Sequence, residues 1–394
     1  MIIKDIHNNE RKVKKSLERI ATNDKISDNN KKIIDAFYNE CVSVGLSNAR
    51  INVYLASLCK LSTEFCNKDF SKLTKEDIKN LIVKIEKNYE WTDWTKRRYK
   101  ILIRKLIQVI DGYDWNSKKY PDRVDWIKAH VKNGNHKLPD EILTKEDIKK
   151  MINSASSIRD RAFISVLYES GCRIGELLTV KLKNTIFDEY GAIINVFGKT
   201  GSRRIRLISC VPELSQLIEN HPFKDDNESY LWIDQYRNPL GYPATRKILK
   251  KIAKRSNIKK PVNPHSFRHA RATHLANHLT EAQMKEYFGW TQVSKMASIY
   301  VHLSGRDVDD AILRMHGKKP KEDKQDEIET KTCIRYNEIN SFDTKYCKKC
   351  GTILSQQDAM KVMDLEKNIL NLIDSDILEK LIENKVKEMM NKVI

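Results

Sequence analysis

The chain has 394 residues, and its 72 Lys and Arg outnumber 53 Asp and Glu, so the formal net charge is +19. A hydrophobic content of 40% argues against wholesale disorder, while no run reaches the ~18 to 20 apolar residues that a membrane span needs. The positive excess favours a polyanionic partner such as nucleic acid, although a basic surface that only serves solubility is the alternative.

The N-terminus and the cysteines indicate an intracellular protein. The first residues, MIIKDIHNNERKVKK, lack the apolar core of a signal peptide. Eight cysteines in a chain of this length are too few for a disulfide scaffold. Five of them stand singly and are expected to be reduced core residues, namely Cys41, Cys59, Cys66, Cys172 and Cys210.

The first part of the chain predicts a helical domain. Residues 1–30 are polar and are expected to form a helical or loosely ordered lead-in. From 31 to 131, apolar residues recur at i, i+3, i+4 and i+7, which predicts a compact four-helix domain. Gly, Asn and Pro in the segment 132–141 then mark a linker.

A repeated phrase marks two helix starts. The sequence LTKEDIKNLI (73–82) recurs as LTKEDIKKMI (143–152). A Thr followed by acidic residues is typical of a helix N-terminus, with Thr74 and Thr144 as the N-caps. We interpret the repeat as two helices that begin alike, not as a duplicated domain.

The second domain, 142–315, is expected to be mixed. It begins with helices, including one at 158–169 and one that starts near Gly175. The alternating segments AIINVF and RRIRLI around the turn GKTG predict a β-hairpin. Helices are expected from 243 onward. The fold class is therefore mainly α with a small antiparallel β-sheet.

Three shorter segments complete the chain. Residues 316–332 are charged and predict a flexible linker, and 333–352 form a small cysteine module. The segment 353–394 has an apolar stripe at helical spacing. Such an amphipathic helical tail either packs on its own domain or joins a partner protomer.

Four separated segments contain the reactive residue types of the chain. They are YESGCRIGELL, FGKTGSRRIRL, PHSFRHARATHLANHL and EYFGWTQVSKMASIYVHLSGRD. Each is weak evidence alone, because an Arg after Gly-Cys is often a capping residue and a Tyr on an apolar helix face is usually in the core. Their order is far more specific. The candidates in that order are Arg173, Glu176, Lys199, His265, Arg268, Trp290 and Tyr300.

From about 30 to 315 the sequence resembles the tyrosine recombinase (phage integrase) family, in particular archaeal site-specific integrases. The strongest matches are SGCRIGELL, GKTGSRRIRL, HSFRHARATHLA and YFGW…IYVHLSGRD. The resemblance implies a helical, SAM-like core-binding domain and a mixed α+β catalytic domain that clamp a DNA duplex. It implies strand cleavage and rejoining through a 3′-phosphotyrosyl bond, without metal or ATP, for integration or excision of a mobile or viral element.

The resemblance also assigns the reacting groups. Tyr300 would be the nucleophile, and His265 would assist its deprotonation, since an unperturbed phenol has a pKa near ~10. Arg173 and Arg268 would bind the non-bridging phosphate oxygens, to which a planar guanidinium is suited. Lys199 would protonate the 5′-oxygen that leaves.

Two further positions have supporting roles in the resemblance. Trp290 stands where many members have His, and its indole N–H can donate a hydrogen bond but cannot exchange protons. Glu176 would orient the neighbouring arginine through a salt bridge. Three other histidines near the motifs, His269, His274 and His302, are interpreted as packing or supporting residues.

Basic residues on two helices and the hairpin are expected to contact the DNA backbone. The segment ATRKILKKIAKRSNIKK (244–260) has no acidic residue, although a solvated helix face is the alternative. The candidates are Lys96, Arg97, Arg98, Lys100, Arg104, Arg203, Arg204, Arg246, Lys247, Lys250, Lys251, Lys254 and Arg255.

The segment CIRYNEINSFDTKYCKKCG resembles a zinc ribbon with one ligand missing. Cys347 and Cys350 form an intact knuckle, but Tyr336 stands where a cysteine should follow Cys333. Structural zinc takes four tetrahedral ligands, so a zinc site, a degenerate ribbon and a fourth donor from elsewhere all stay open.

The resemblance implies double-stranded DNA as the partner, a homotetramer on paired sites, no membrane, and a cytoplasmic, nucleoid-associated location. One alternative is a nicking-closing enzyme of the type IB topoisomerase class, which shares the Arg-Lys-Arg-Tyr chemistry. The other is a catalytically decayed DNA-binding accessory protein. The presence of all the reactive residues disfavours that second alternative.

Overall fold

The computed structural model describes residues 5–130, 141–198, 201–303, 315–317, 328, 330–355, 359–361, 363–365 and 367, without the side chains of residues 302 and 303. The chain divides into two compact units, Met1–Lys137 and Leu138–Ile394. Nearly all of the predicted linker lies outside the described residues. Among the described helices, none combines the length and the apolar character that crossing a bilayer requires.

The first unit is helical, as its periodicity predicts. Its described α-helices are α1 (Asn9–Ala21), α2 (Asp28–Ser43), α3 (Asn48–Lys60), α4 (Lys75–Glu86) and α5 (Asp93–Ile110). A π-helical turn at Leu61–Phe65 extends α3, and a 3₁₀ turn at Phe70–Lys72 precedes α4. Phe37, Leu58 and Leu102 are fully buried in the core that these helices share.

The polar lead-in is part of this unit, which differs from the prediction of a separate segment. Helix α1 packs against α3 and buries Val13 and Ile20. These two residues and the partly buried Leu17 have i, i+4, i+7 spacing, so a narrow apolar stripe is enough to dock an otherwise charged helix. The predicted four-helix domain is therefore completed by a fifth helix.

The two predicted N-caps are confirmed. The side chain of Thr74 accepts a hydrogen bond from the backbone N–H of Asp77, and that of Thr144 accepts one from Asp147. In both cases the aspartate side chain accepts the N–H of the capping residue in return. The repeated phrase thus encodes two reciprocal capping boxes, one in each unit.

The second unit contains most of the predicted elements. Its described α-helices are α6 (Lys145–Ser154), α7 (Ile158–Ser170), α8 (Ile174–Leu177), α9 (Val211–Glu219), α10 (Tyr242–Arg255), α11 (Pro264–Ala276), α12 (Glu281–Phe288) and α13 (Met296–Leu303). Its main sheet is antiparallel with the order β1 (Thr185–Asp188), β2 (Gly191–Gly198) and β3 (Gly201–Leu207). The fold class, mainly α with a small antiparallel sheet, is confirmed.

Helix α7 is the central element of this unit. All residues from Ala162 to Ser170 are buried, and the helix packs against α6, α9 and α11. It ends at Gly171, which has φ +54°, and a Cβ atom there would lie 2.5 Å from Cε1 of Phe288. A close approach of α7 to the end of α12 therefore requires glycine at this position.

The cysteine module also belongs to the second unit. Two short strands, β4 (Lys331–Thr332) and β5 (Ile339–Asn340), pair antiparallel, and β5 packs against α9. Most of the charged linker and of the predicted tail lies outside the described residues. Leu365 of the tail stripe is described, and its side chain is exposed.

Candidate active site

The start of α8 holds the first arginine of the site. Arg173 is the residue that precedes the helix, and its backbone N–H donates to Oε2 of Glu176 at 3.0 Å. Its guanidinium Nη1 donates to Oε1 of the same carboxylate at 2.9 Å, and Nη2 donates to the carbonyl of Gly289 at 3.1 Å. The side chain keeps an exposed fraction of 37%. These hydrogen bonds fix the orientation of the Arg173 guanidinium, and one side of the group remains exposed to solvent.

A second arginine binds the same carboxylate from β3. Nη2 of Arg203 lies 2.7 Å from Oε2 of Glu176, and its Nε donates to the carbonyl of Tyr287 at 3.0 Å. Burial raises the pKa of Glu176, but the hydrogen bonds and charges of Arg203 and Arg173 outweigh it and hold that pKa below its ordinary value. The carboxylate is therefore ionised at neutral pH.

Arg203 is predicted to contact the DNA backbone, but the structure places its side chain inside the site, bound to Glu176. Only 9% of the side chain is exposed, because alternation along β3 turns Arg203, Ile205 and Leu207 inward. Its neighbour Arg204 is exposed and remains a candidate for DNA contact. Arg203 instead positions Glu176, and through it Arg173.

Arg268 is the buried arginine of the site. It lies on α11, is 7% exposed, and donates to the carbonyls of Gly171 at 2.8 Å and Phe288 at 2.6 Å. Its guanidinium also lies 5.5 Å from the ring centroid of Trp290. Burial and the nearby positive charge of Arg173 lower its pKa to about 10, so it stays charged at neutral pH.

Tyr300 on α13 lies beside this arginine and is itself 5% exposed. Its ring is stacked parallel on Trp290 with the centroids 5.7 Å apart. Its hydroxyl is hydrogen-bonded to Nδ1 of His269. Burial raises the pKa of Tyr300 to about 12, although the charge of Arg268 acts in the opposite direction. The phenol is protonated at neutral pH and needs a base to become a nucleophile.

The histidine bonded to the tyrosine is therefore His269, which the sequence had suggested to be a packing residue. His265 lies one helical turn earlier on α11, is exposed, and its ring centroid is 6.4 Å from that of His269. The i, i+4 spacing places both on one face, so spacing alone could not decide between them. His274 has the packing role expected of it, with Nδ1 2.8 Å from the hydroxyl of Tyr168.

The end of strand β2 lies against the same carboxylate. Gly198 and Gly201 are paired across β2 and β3, and a Cβ atom at Gly198 would lie 2.5 Å from Oε1 of Glu176. Lys199 itself lies outside the described residues, as does the side chain of His302. The role of Lys199 stays a prediction.

The basic residues of α10 are exposed on one face. Thr245, Leu249, Ile252 and Ala253 are buried on the other. The exposed residues are Arg246, Lys247, Lys250, Lys251, Lys254 and Arg255. Lys250 and Lys254 line an open groove of about 470 Å³ near the end of the helix. This is the arrangement expected of a surface that follows a phosphate backbone.

The corresponding residues of α5 are mostly engaged within their own unit. Lys96 donates to the carbonyl of Glu86 at 2.8 Å, and Lys100 forms an ion pair with the carboxylate of that residue. Arg97 donates to a backbone carbonyl, and Arg104 lies 3.7 Å from the ring centroid of Tyr120. Among the five predicted contacts on this helix, Arg98 is the exposed one.

The known proteins that this chain resembles in sequence are tyrosine recombinases. Residues 141–306 match the phage integrase family. The tyrosine recombinase XerD of Halalkalibacterium halodurans is 26% identical over 211 residues, covering 50% of this chain and 69% of that protein. XerD of Listeria innocua is 31% identical over 188 residues, covering 45% and 62%. These alignments thus span about two thirds of the relatives' length. Both organisms are bacteria, and the likeness to archaeal integrases stays a prediction.

Solved structures share the fold. The XerH recombinase bound to palindromic difH substrate has a TM-score of 0.54 and 20% identity, covering 80% of this chain and 98% of that one. A λ integrase dimer bound to a COC′ core site has a TM-score of 0.55 and 17% identity, covering 70% and 78%. The Tn1549 transposon integrase in complex with circular intermediate DNA has a TM-score of 0.53 and 16% identity, covering 72% and 98%.

The buried carboxylate generates a test of stability. Glu176→Gln removes the charge that compensates two guanidinium groups, so we expect a loss of about 3–5 kcal/mol in the free energy of unfolding at neutral pH. Because the folded-state pKa is lowered, the wild-type advantage is complete above the ordinary value of 4.5 and shrinks as the pH falls below it. Denaturant unfolding of both proteins from pH 3 to 8 measures this.

The matched control is Glu228→Gln. Glu228 also binds two lysines, Lys181 and Lys183, but its side chain is 60% exposed, so its removal should have little effect at any pH. An equal loss in both variants would contradict the central role of Glu176.

Proposed function

We propose that the chain is a tyrosine recombinase of the phage integrase family, whose model matches residues 141–306, and that it acts site-specifically on double-stranded DNA. It cleaves and rejoins strands through a 3′-phosphotyrosyl intermediate and serves the integration or excision of a mobile or viral element. The observation that supports this most is the contact of Tyr300 with His269 next to the buried Arg268. The location that fits such an enzyme is the cytoplasm, at the nucleoid.

The proposed reaction begins at the phenol. His269 takes the proton of Tyr300, and the phenolate oxygen forms a bond to the phosphorus while the bond from phosphorus to the 5′-oxygen breaks. Arg173 and Arg268 neutralise the charge that develops on the non-bridging oxygens. The leaving 5′-oxygen takes a proton, which Lys199 would supply by the family resemblance.

The reverse reaction rejoins a strand. A 5′-hydroxyl attacks the phosphotyrosyl bond and releases the phenol, so the phosphodiester energy is conserved in the intermediate. The proposed reaction uses groups of this chain and needs neither ATP nor a metal ion. Exchange between two duplexes requires more than one protomer, and we propose a homotetramer on paired sites. The λ integrase relative that forms a dimer on a core site supports assembly on DNA.

The first test is covalent capture. Wild-type protein mixed with fragmented genomic DNA of its source and quenched with detergent should yield protein–DNA adducts whose sequenced ends share a site. Tyr300→Phe should abolish the adduct and leave duplex binding nearly unchanged, because it removes one oxygen. The control Tyr190→Phe alters a tyrosine that is 67% exposed and should retain adduct formation.

The other outcomes separate the alternatives. Adducts that persist in Tyr300→Phe would refute the nucleophile assignment. Relaxation of supercoiled plasmid without paired sites would favour a type IB topoisomerase-like enzyme. Tight duplex binding by a wild-type protein that forms no adduct would favour a decayed accessory protein.

The second test distinguishes the two histidines. If His269 is the base, His269→Ala should lower the rate of adduct formation by about 10²–10⁴-fold and shift its pH dependence, since general-base catalysis contributes that much. His265→Ala should have a smaller effect with the pH profile retained. The reverse order of effects would restore the assignment made from the family resemblance.

The third test concerns the surface of α10. Each phosphate contact that is lost lowers the slope of log affinity against log salt concentration by about 0.9. Replacing Lys250 and Lys254 together by Gln should therefore lower the slope by about twice that amount on any duplex. Lys181→Gln is the control, because this lysine is bound to Glu228. An unchanged slope in the double variant would exclude these lysines from the interface.

A further inference from the structure

The three cysteines of the C-terminal module converge from two loops, one with Cys333 and one with Cys347 and Cys350. The Sγ atoms of Cys333, Cys347 and Cys350 all lie within 4.8 Å of one another, and those of Cys333 and Cys350 are 3.6 Å apart. In a tetrahedral zinc site with Zn–S bonds of ~2.3 Å, two sulfur atoms are separated by about 3.8 Å. The thiols are therefore spaced as ligands of one ion.

Backbone hydrogen bonds hold the two loops in the conformation that brings the thiols together. The N–H of Lys349 donates to Sγ of Cys347 at 3.4 Å, and the N–H of Gly351 donates to the carbonyl of Cys347 at 2.8 Å. Gly351 has φ +71°, which closes this turn. On the other loop, the N–H of Asn337 donates to the carbonyl of Cys333 at 2.8 Å. Both loops point their sulfur atoms inward.

The module lacks an apolar core of its own. Within the described residues 330–355, the buried ones are Cys333, Asn340, Ser341 and Cys347. The large apolar and aromatic residues Ile334, Tyr336 and Tyr346 are between 52% and 91% exposed. A segment this small with no buried apolar side chain needs a cross-link to keep its shape, and a bound metal ion supplies one.

We propose that Cys333, Cys347 and Cys350 bind one Zn²⁺ through three thiolates, with the fourth position left to an exchangeable ligand. Thiolate ligands select soft or borderline ions, of which Zn²⁺ takes this geometry. The fourth position is open because Tyr336 replaces a cysteine, and its exposed ring lies 5.2 Å from the ammonium group of Lys349. Its ion should therefore be released more readily than that of a four-cysteine site.

The site is coupled to the catalytic unit through a docked surface. Nη2 of Arg161 on α7 lies 2.5 Å from a carboxylate oxygen of Asp343, and the hydroxyl of Ser341 donates to the buried carboxylate of Glu213 on α9. Phe342 and Ile152 are among the residues that line a gap of only about 10 Å³. Metal binding, which orders the module, should therefore also stabilise the unit that contains α7.

The primary experiment measures metal in the full-length chain. Protein purified without chelator should contain one equivalent of zinc by elemental analysis, and Cys347→Ser and Cys350→Ser should each lose it. Cys66→Ser, in the first unit, should retain it. Metal-free wild-type protein, or a disulfide between Cys333 and Cys350 in freshly purified protein, would overturn the proposal.

A gain-of-ligand variant tests the open position. Tyr336→Cys should complete the four-cysteine pattern and slow the release of zinc to excess EDTA by tenfold or more. Ile334→Cys adds a thiol to the same loop outside the pattern and should not. Equal release from Tyr336→Cys and the wild type would reject the open fourth position.

The coupling is tested by thermal unfolding. Removing zinc should lower the Tm of the wild type, while Asp343→Ala should keep one zinc and show a smaller decrease on chelation. An unchanged wild-type Tm on chelation would refute the coupling. These readouts do not involve DNA, so their failure leaves the proposed recombinase function standing, and the reverse also holds.

Discussion

The buried carboxylate of Glu176 is the interaction on which the rest of the site depends. It joins the start of α8 to strand β3 by binding Arg173 and Arg203 at the same time. Gly198, at the end of β2, packs directly against it. Three buried or half-buried guanidinium groups lie in this region, and without the carboxylate their mutual repulsion would be poorly screened. One acidic side chain thus holds a site that is otherwise built of cations.

The site nevertheless retains an excess of positive charge. Arg173, Arg203 and Arg268 bring three positive charges against the single negative charge of Glu176. Helix ends moderate this excess, because the carbonyls of Gly171 and Phe288, at the C-termini of α7 and α12, accept both hydrogen bonds of Arg268. The remaining charge suits an anionic substrate that enters from outside. The arginines are thus held in fixed orientations by groups of the chain itself.

Patterns within short segments of the sequence predict the features that depend on interactions between residues near each other in the chain. The capping boxes and the hairpin follow from spacing and turn chemistry, while the roles of the reactive segments were assigned through the family resemblance. Strand alternation also predicts that the side chain of Arg203 points inward. The charge of an arginine favours an exposed position, so the two signals disagree at this residue. The sequence could not predict that His269, and not His265, contacts Tyr300. Both histidines lie on one face of α11, and only the packing of α13 brings Tyr300 to one of them.

The cysteine module shows a second limit of prediction from sequence. Its three cysteines are close together in sequence, but the residues on which the module docks are distant in sequence. Arg161 and Asp343 are 182 residues apart, and no pattern in either segment indicates that they meet. They meet on α7, whose buried C-terminal end supplies a carbonyl to Arg268. From Ala162 to Ser170 this helix is buried, and closely packed interiors transmit strain. The module thus docks on the same helix whose C-terminal carbonyl binds Arg268.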